Sequence, residues 1–111
     1  MMRRWILALA MMAGPAWAED AKLEGAAITA ALAGKSVVYD DGTKQVFKAA
    51  GQTIFDNGRQ SLGQWAVRGD QYCSVWPPSD VWACYDVTSG AAGAVGFVAA
   101  DGSTSVGHVM P

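Results

Sequence analysis

The chain of 111 residues has one histidine, two cysteines and no cluster of lysine or arginine past its first few residues, and each shortage removes a class of function. A zinc site needs about four ligands, which Cys73, Cys84 and His108 cannot readily supply. Cys-x-x-Cys is missing, so thioredoxin-like exchange is not indicated. His108 reads as a surface or end-of-strand residue with no serine or cysteine set to join. There is no Gly-x-Gly-x-x-Gly or Walker loop to cradle phosphate. The carboxylates Asp40, Asp41, Asp56, Asp70, Asp80 and Asp101 fall at turn tips, where Asp supports the turn itself, and nothing marks two of them as a glycosidase pair. No catalytic residue, metal or cofactor is expected.

Long apolar runs are also scarce. Arg3 and Arg4, the apolar run Trp5 to Met12, and Ala16-Trp17-Ala18 after Gly14-Pro15 match the three zones of a secretory signal peptide. The alternative, a membrane anchor, needs about 20 apolar residues, more than this run provides. Without a cysteine after the small residues, lipid attachment is not indicated. The expectation is a signal peptide over 1–18 and one small domain over 19–111, since about 100 residues make a single domain. Residues 19–111 carry six basic side chains against all ten acidic ones, a net charge of −4. Nucleic acid is therefore not an expected partner, nor is a stable membrane span after signal removal.

What remains is rich in strand and turn signals. Residues 20–33 carry Leu23, Ala27, Ile28, Ala30, Ala31 and Leu32 at helical spacing, with Asp20 placed to cap the start and Gly34 to end the segment. From Lys35 on, short runs of Val, Tyr, Phe, Trp and Thr alternate with Asp41-Gly42, Asn57-Gly58, Gly69-Asp70, Pro78-Ser79 and Asp101-Gly102. Such dipeptides accept the positive φ angles of tight hairpins. Strands are expected near 36–40, 43–49, 52–56, 59–61, 64–68, 71–77, 81–87, 94–99 and 103–109. Ala49-Ala50-Gly51 and Ser89 to Gly96 read as corners. The fold class is mainly β, an antiparallel meander closing into a small barrel or sandwich, preceded by one short N-terminal helix.

One hairpin carries most of the information. With Pro78-Ser79 at its tip, Trp76 faces Val81, Val75 faces Trp82 and Cys73 faces Cys84, close enough for a disulfide. Two cysteines in an exported chain favour that bond. Alternation then puts Tyr72, Ser74, Trp76, Val81, Ala83, Tyr85 and Val87 on one face, joined by Trp65 and Val67. The other face takes Arg68, Gln71, Cys73, Val75, Trp82, Cys84 and Asp86. The first face is the expected core. Trp82 and Val75 lie on the more polar face near the Pro77, Pro78, Ser79, Asp80 tip, either covered by the helix or presented to a partner.

The strings Leu32-Ala33-Gly34-Lys35, Tyr39-Asp40-Asp41-Gly42, Gly63-Gln64-Trp65, Tyr72-Cys73-Ser74-Val75-Trp76 and Trp82-Ala83-Cys84-Tyr85 resemble small exported proteobacterial proteins of uncharacterised families. The resemblance implies a bacterial envelope protein and no particular activity. The leading expectation is a non-catalytic periplasmic or secreted module that contacts an envelope protein or inhibits a hydrolase through Val75, Pro77, Pro78, Ser79, Asp80 and Trp82. The alternative is a carrier of a small apolar ligand, with Trp65, Tyr72, Trp76 and Tyr85 lining a barrel cavity.

Overall fold

The computed structural model describes residues 21–110, so the expected signal peptide over 1–18 lies outside the described residues. The order is β1 (Ala21–Lys22), α1 (Gly25–Leu32), β2 (Lys35–Tyr39), β3 (Lys44–Phe47), β4 (Gln52–Asp56), β5 (Gln60–Arg68), β6 (Gln71–Val75), β7 (Ala83–Ser89), a short 3-10 turn (Ala91–Gly93), β8 (Ala94–Val98) and β9 (Thr104–Val109). Every strand from β2 to β9 pairs antiparallel with the next. β9 returns to β2, His108 opposite Val38, and the meander closes as an eight-stranded barrel. Closure satisfies backbone groups that an open sheet would leave at two edges. The small β1 continues the ladder on β7, with Lys22 opposite Thr88.

All five expected turn dipeptides fall in connections between strands. Three of the aspartates do the work expected of them. The Asp41 carboxylate accepts from the Thr43 amide at 3.0 Å and its hydroxyl at 2.7 Å. Asp101 accepts likewise from Ser103, and Asp56 from the Gly58 amide.

Three local expectations are corrected. The helix starts at Gly25 rather than at residue 20, because Ala21 and Lys22 are drawn into the ladder on β7. The N-cap position is Glu24, and Asp70, from the β5–β6 turn, accepts the Gly25 amide at 2.8 Å; the expected cap Asp20 lies outside the described residues. The segments expected at 59–61 and 64–68 are one strand, β5, running straight through Gly63. A Cβ at Gly63 would meet the Trp76 ring and the Val75 carbonyl at 2.6 Å, so this glycine makes room for an aromatic ring rather than ending a strand. Finally, the β6–β7 ladder keeps the expected register, Cys73 opposite Cys84 and Ser74 opposite Ala83, but stops there. Residues 76–82 leave the ladder as a loop, and Val81, expected in the core, is 72% exposed.

The barrel has two unlike ends. At one, α1 lies across the opening and drives Ile28 and Leu32 into a cluster with Val37, Phe47, Trp65, Val87 and Val95. An eight-residue helix is unstable alone. Full burial of these two side chains, about 1.5–3 kcal/mol each, is what holds it there. Gly34, at φ +76°, turns the chain from the helix into β2, and its amide donates to the Phe47 carbonyl at 2.7 Å. At the other end, the β2–β3, β4–β5, β6–β7 and β8–β9 connections surround an opening with no helix over it among the described residues.

Candidate functional site: the open mouth of the barrel

Eight strands make an interior just wide enough for side chains to fill or for one small ligand to enter. This barrel does both, in different halves. Towards the open end the inward positions carry small hydroxyl residues, Ser61 on β5, Ser74 on β6 and Ser105 on β9, which leave a cavity of about 660 Å³. That is within the range of small-molecule sites, roughly 300–1,000 Å³.

Six aromatic side chains wall it: Tyr39, Phe55, Tyr72, Trp76, Tyr85 and Phe97. They form one linked arc. Trp76 meets Phe55 edge to face at 6.4 Å, Phe55 meets Tyr39 at 6.3 Å, and Tyr39 meets Phe97 at 5.9 Å. Phe97 meets Tyr72 at 5.3 Å, and Tyr72 meets Tyr85 at 5.8 Å. Packed against one another, the rings hold their positions without a guest.

The floor is a buried hydrogen-bond network centred on Gln45. The Thr53 hydroxyl donates to the Val46 carbonyl at 2.7 Å, so its oxygen must accept from Gln45, whose Nε2 lies 2.9 Å away. That fixes the amide orientation. Its Oε1 accepts the Tyr39 hydroxyl proton at 2.7 Å, and Nε2 also donates to the Tyr72 oxygen at 3.0 Å. Tyr72 is an acceptor here and keeps its own proton. Burial raises the Tyr39 hydroxyl far above the usual phenol pKa, reinforced by Tyr72 and Tyr85. Burial raises Tyr72 as well, with hydrogen bonds from Ser74 and Gln45 pulling the other way. Both phenols stay neutral, as donors and acceptors without charge.

Of the four residues expected to line a cavity, Tyr72, Trp76 and Tyr85 do so. Trp65 does not: it is 7% exposed in the filled half, edge-on to Phe47, and its indole donates to the Lys48 carbonyl at 2.9 Å. Spacing along the hairpin cannot tell filled from hollow, because all four share one face. Tyr39, Gln45, Phe55 and Phe97 come from strands outside that hairpin, and only closure of the barrel brings them in. Their inward parity was a signal in the sequence; their depth was not.

The expected contact surface is divided. Cys73 and Cys84 form the disulfide across β6 and β7, Cα atoms 4.0 Å apart. Their side chains face away from the cavity, yet Cys73 is fully buried and Val75 is only 8% exposed. Trp82, the last residue of the 76–82 loop, is half-buried, and the guanidinium carbon of Arg68 on β5 sits 4.1 Å from its ring centroid. Pro77, Pro78, Ser79 and Asp80 are exposed on the loop that rims the mouth. His108 is exposed on β9, away from the cavity lining.

Among the described residues no three His, Cys, Asp or Glu side chains group as a metal site, and no helix is long and apolar enough to cross a membrane. Compared with protein-family models, with curated proteins and with solved structures, the chain matches none.

Proposed function

We propose that the chain is an exported binding protein that holds one small molecule in the mouth of its barrel. The observation that carries this is the 660 Å³ cavity, walled by a continuous aromatic arc and floored by a buried polar network in which the Tyr72 hydroxyl keeps a proton to donate. A fold selected only for stability would fill that volume, since interiors pack at crystal-like density. The disulfide supports export, because such bonds persist in oxidising compartments. Contact with an envelope protein draws less support: Val75 is buried, Trp82 is held under Arg68, and only the Pro77 to Val81 tip stays free. The polar floor also adjusts the expected ligand, which is not purely apolar but carries at least one hydrogen-bonding group.

The test uses N-phenyl-1-naphthylamine, a neutral dye whose emission rises on leaving water. Saturable emission from one site is expected, and it is abolished by Ser105→Trp, which fills the mouth from β9, with the melting temperature held. No saturable response, or one that Ser105→Trp leaves untouched, overturns the proposal.

A further inference from the structure

We infer that the mouth selects small organic cations, taking an ammonium head against its aromatic wall and excluding anions; this rests on the cavity being a ligand site. The first observation is the charge of the lining. Of the fifteen residues around the cavity, only Asp40 and Asp41 carry a carboxyl group, and no lysine, arginine or histidine is among them. An anion entering would lose water and meet two carboxylates with nothing to pair it, a desolvation cost without compensation. A neutral guest would be indifferent to them. A cation gains from both.

The second observation, independent of the first, is the wall itself. Each ring carries negative charge on its faces, and a cation within about 6 Å of a ring centroid is drawn to it, most strongly by Trp and Tyr. Four of the six rings are Trp or Tyr. Tilts between neighbours, 53° for Tyr39 with both Phe55 and Phe97 and 63° for Tyr72 with Phe97, turn successive rings through different directions around the space instead of stacking them flat. Such an arrangement suits a rounded, alkylated ammonium better than a flat ring system. The aspartates stand on the β2–β3 turn at the rim, where the Thr43 bonds hold Asp41 in place. A cation would pass the carboxylates first and come to rest among the rings.

Three probes of one shape decide it: phenyltrimethylammonium, tert-butylbenzene and benzenesulfonate, which share a phenyl group and a tetrahedral head and differ in charge. Binding is read from the Trp76 indole resonance in heteronuclear NMR. The ammonium should bind about tenfold more tightly than its neutral isostere, with the sulfonate weakest. Changing Asp40 and Asp41 together to Asn, which keeps an acceptor for Thr43, should narrow the cation preference several-fold and leave tert-butylbenzene unmoved. Trp76→Leu should weaken the ammonium more than the neutral probe, the shift then being followed at Tyr85. Equal affinities, or preference for the sulfonate, overturn the cation inference while leaving the cavity a ligand site. If none of the three binds and the neutral dye also fails, the cavity proposal falls with it.

Discussion

The two halves of the barrel share the same strands and differ in what those strands turn inward. Going from the helix end to the mouth, β2 exchanges Val37 for Tyr39, β3 exchanges Phe47 for Gln45, and β5 passes from Trp65 through Gly63 to Ser61. On β9 the inward sequence is Val109, Gly107, Ser105, and on β6 it is Tyr72, then Ser74. Along β3, β5, β6 and β9 the inward volume shrinks and polarity rises, while β2 gains polarity with a larger ring. One end is a core completed by a helix, and the other is a vessel. A closed meander stays intact with half its interior unfilled because the ladder itself is continuous, and because the filled half supplies the apolar burial for the whole. Packed interior and open volume are thus divided along the barrel axis.

The sharpest way to break that division is to delete one ring from each half. Phe47 is fully buried and packs edge-on to Trp65 and Tyr72 and flat on Phe97, with centroids 5.6, 5.6 and 6.2 Å away. Phe47→Ala should cost about 3–5 kcal/mol, the range for a buried aromatic left as a cavity. Phe55 is half-buried at the mouth, and Phe55→Ala should cost about 1–2 kcal/mol, since much of its surface already faces the cavity. Urea unfolding of both variants measures the contrast. Equal losses would mean that the mouth is as much a part of the stabilising core as the plugged end.

The disulfide sharpens the same contrast. It staples β6 to β7 one residue pair below the point where their ladder opens into the 76–82 loop, on the side of the barrel with less packing to hold it. Closing a loop of this length contributes about 3 kcal/mol in the chain-entropy account. Changing Cys73 and Cys84 together to Ala should lose about that much, and the loss should be uneven. Hydrogen exchange at Ser74 and Ala83 should accelerate well before exchange at Val87 or Leu32. Uniform acceleration would show that the staple acts on the whole barrel and not on the mouth.

Legibility in the sequence follows the range of the interaction. Turns, strand alternation and the Cys73–Cys84 register are local, set by residues within about a dozen positions of one another, and those could be read directly. The extent of β5 could not, because the tenant that explains Gly63 is the Trp76 ring, just past the end of the next strand. Helix capping was misplaced for a similar reason: the partner of the Gly25 amide is Asp70, forty-five residues on. The Arg68–Trp82 contact joins β5 to the end of the 76–82 loop across an intervening strand, which register alone does not encode. The site suffered most. One hairpin contributed Tyr72, Trp76 and Tyr85, but the opposing wall of Tyr39, Phe55 and Phe97 exists only once β9 has met β2.

The smallest expected effect concerns pH and again separates the ends. At the mouth, bonds from the Thr43 amide and hydroxyl hold the Asp41 carboxyl below the usual carboxylate pKa, and the Ser103 amide and hydroxyl do the same for Asp101. Both folded values lie below the unfolded one, about 3.9. The stabilisation these turns gain is therefore complete above pH of about 3.9 and is lost as pH falls through the lower folded values. Full exposure of both groups keeps the contribution small. Acid should loosen two rim turns while the helix end, whose cluster is apolar, keeps its packing. In an NMR titration the Thr43 and Ser103 amides should move with midpoints below about 3.9, and the Val87 and Val95 amides should stay still over that range. Asp41→Asn should abolish the Thr43 transition and leave that of Ser103, because the amide keeps an acceptor but has no proton to gain. Midpoints at or above the ordinary aspartate value would mean that the turn bonds do not favour the ionised form, and the rim would then offer a guest a weaker and less fixed pair of charges.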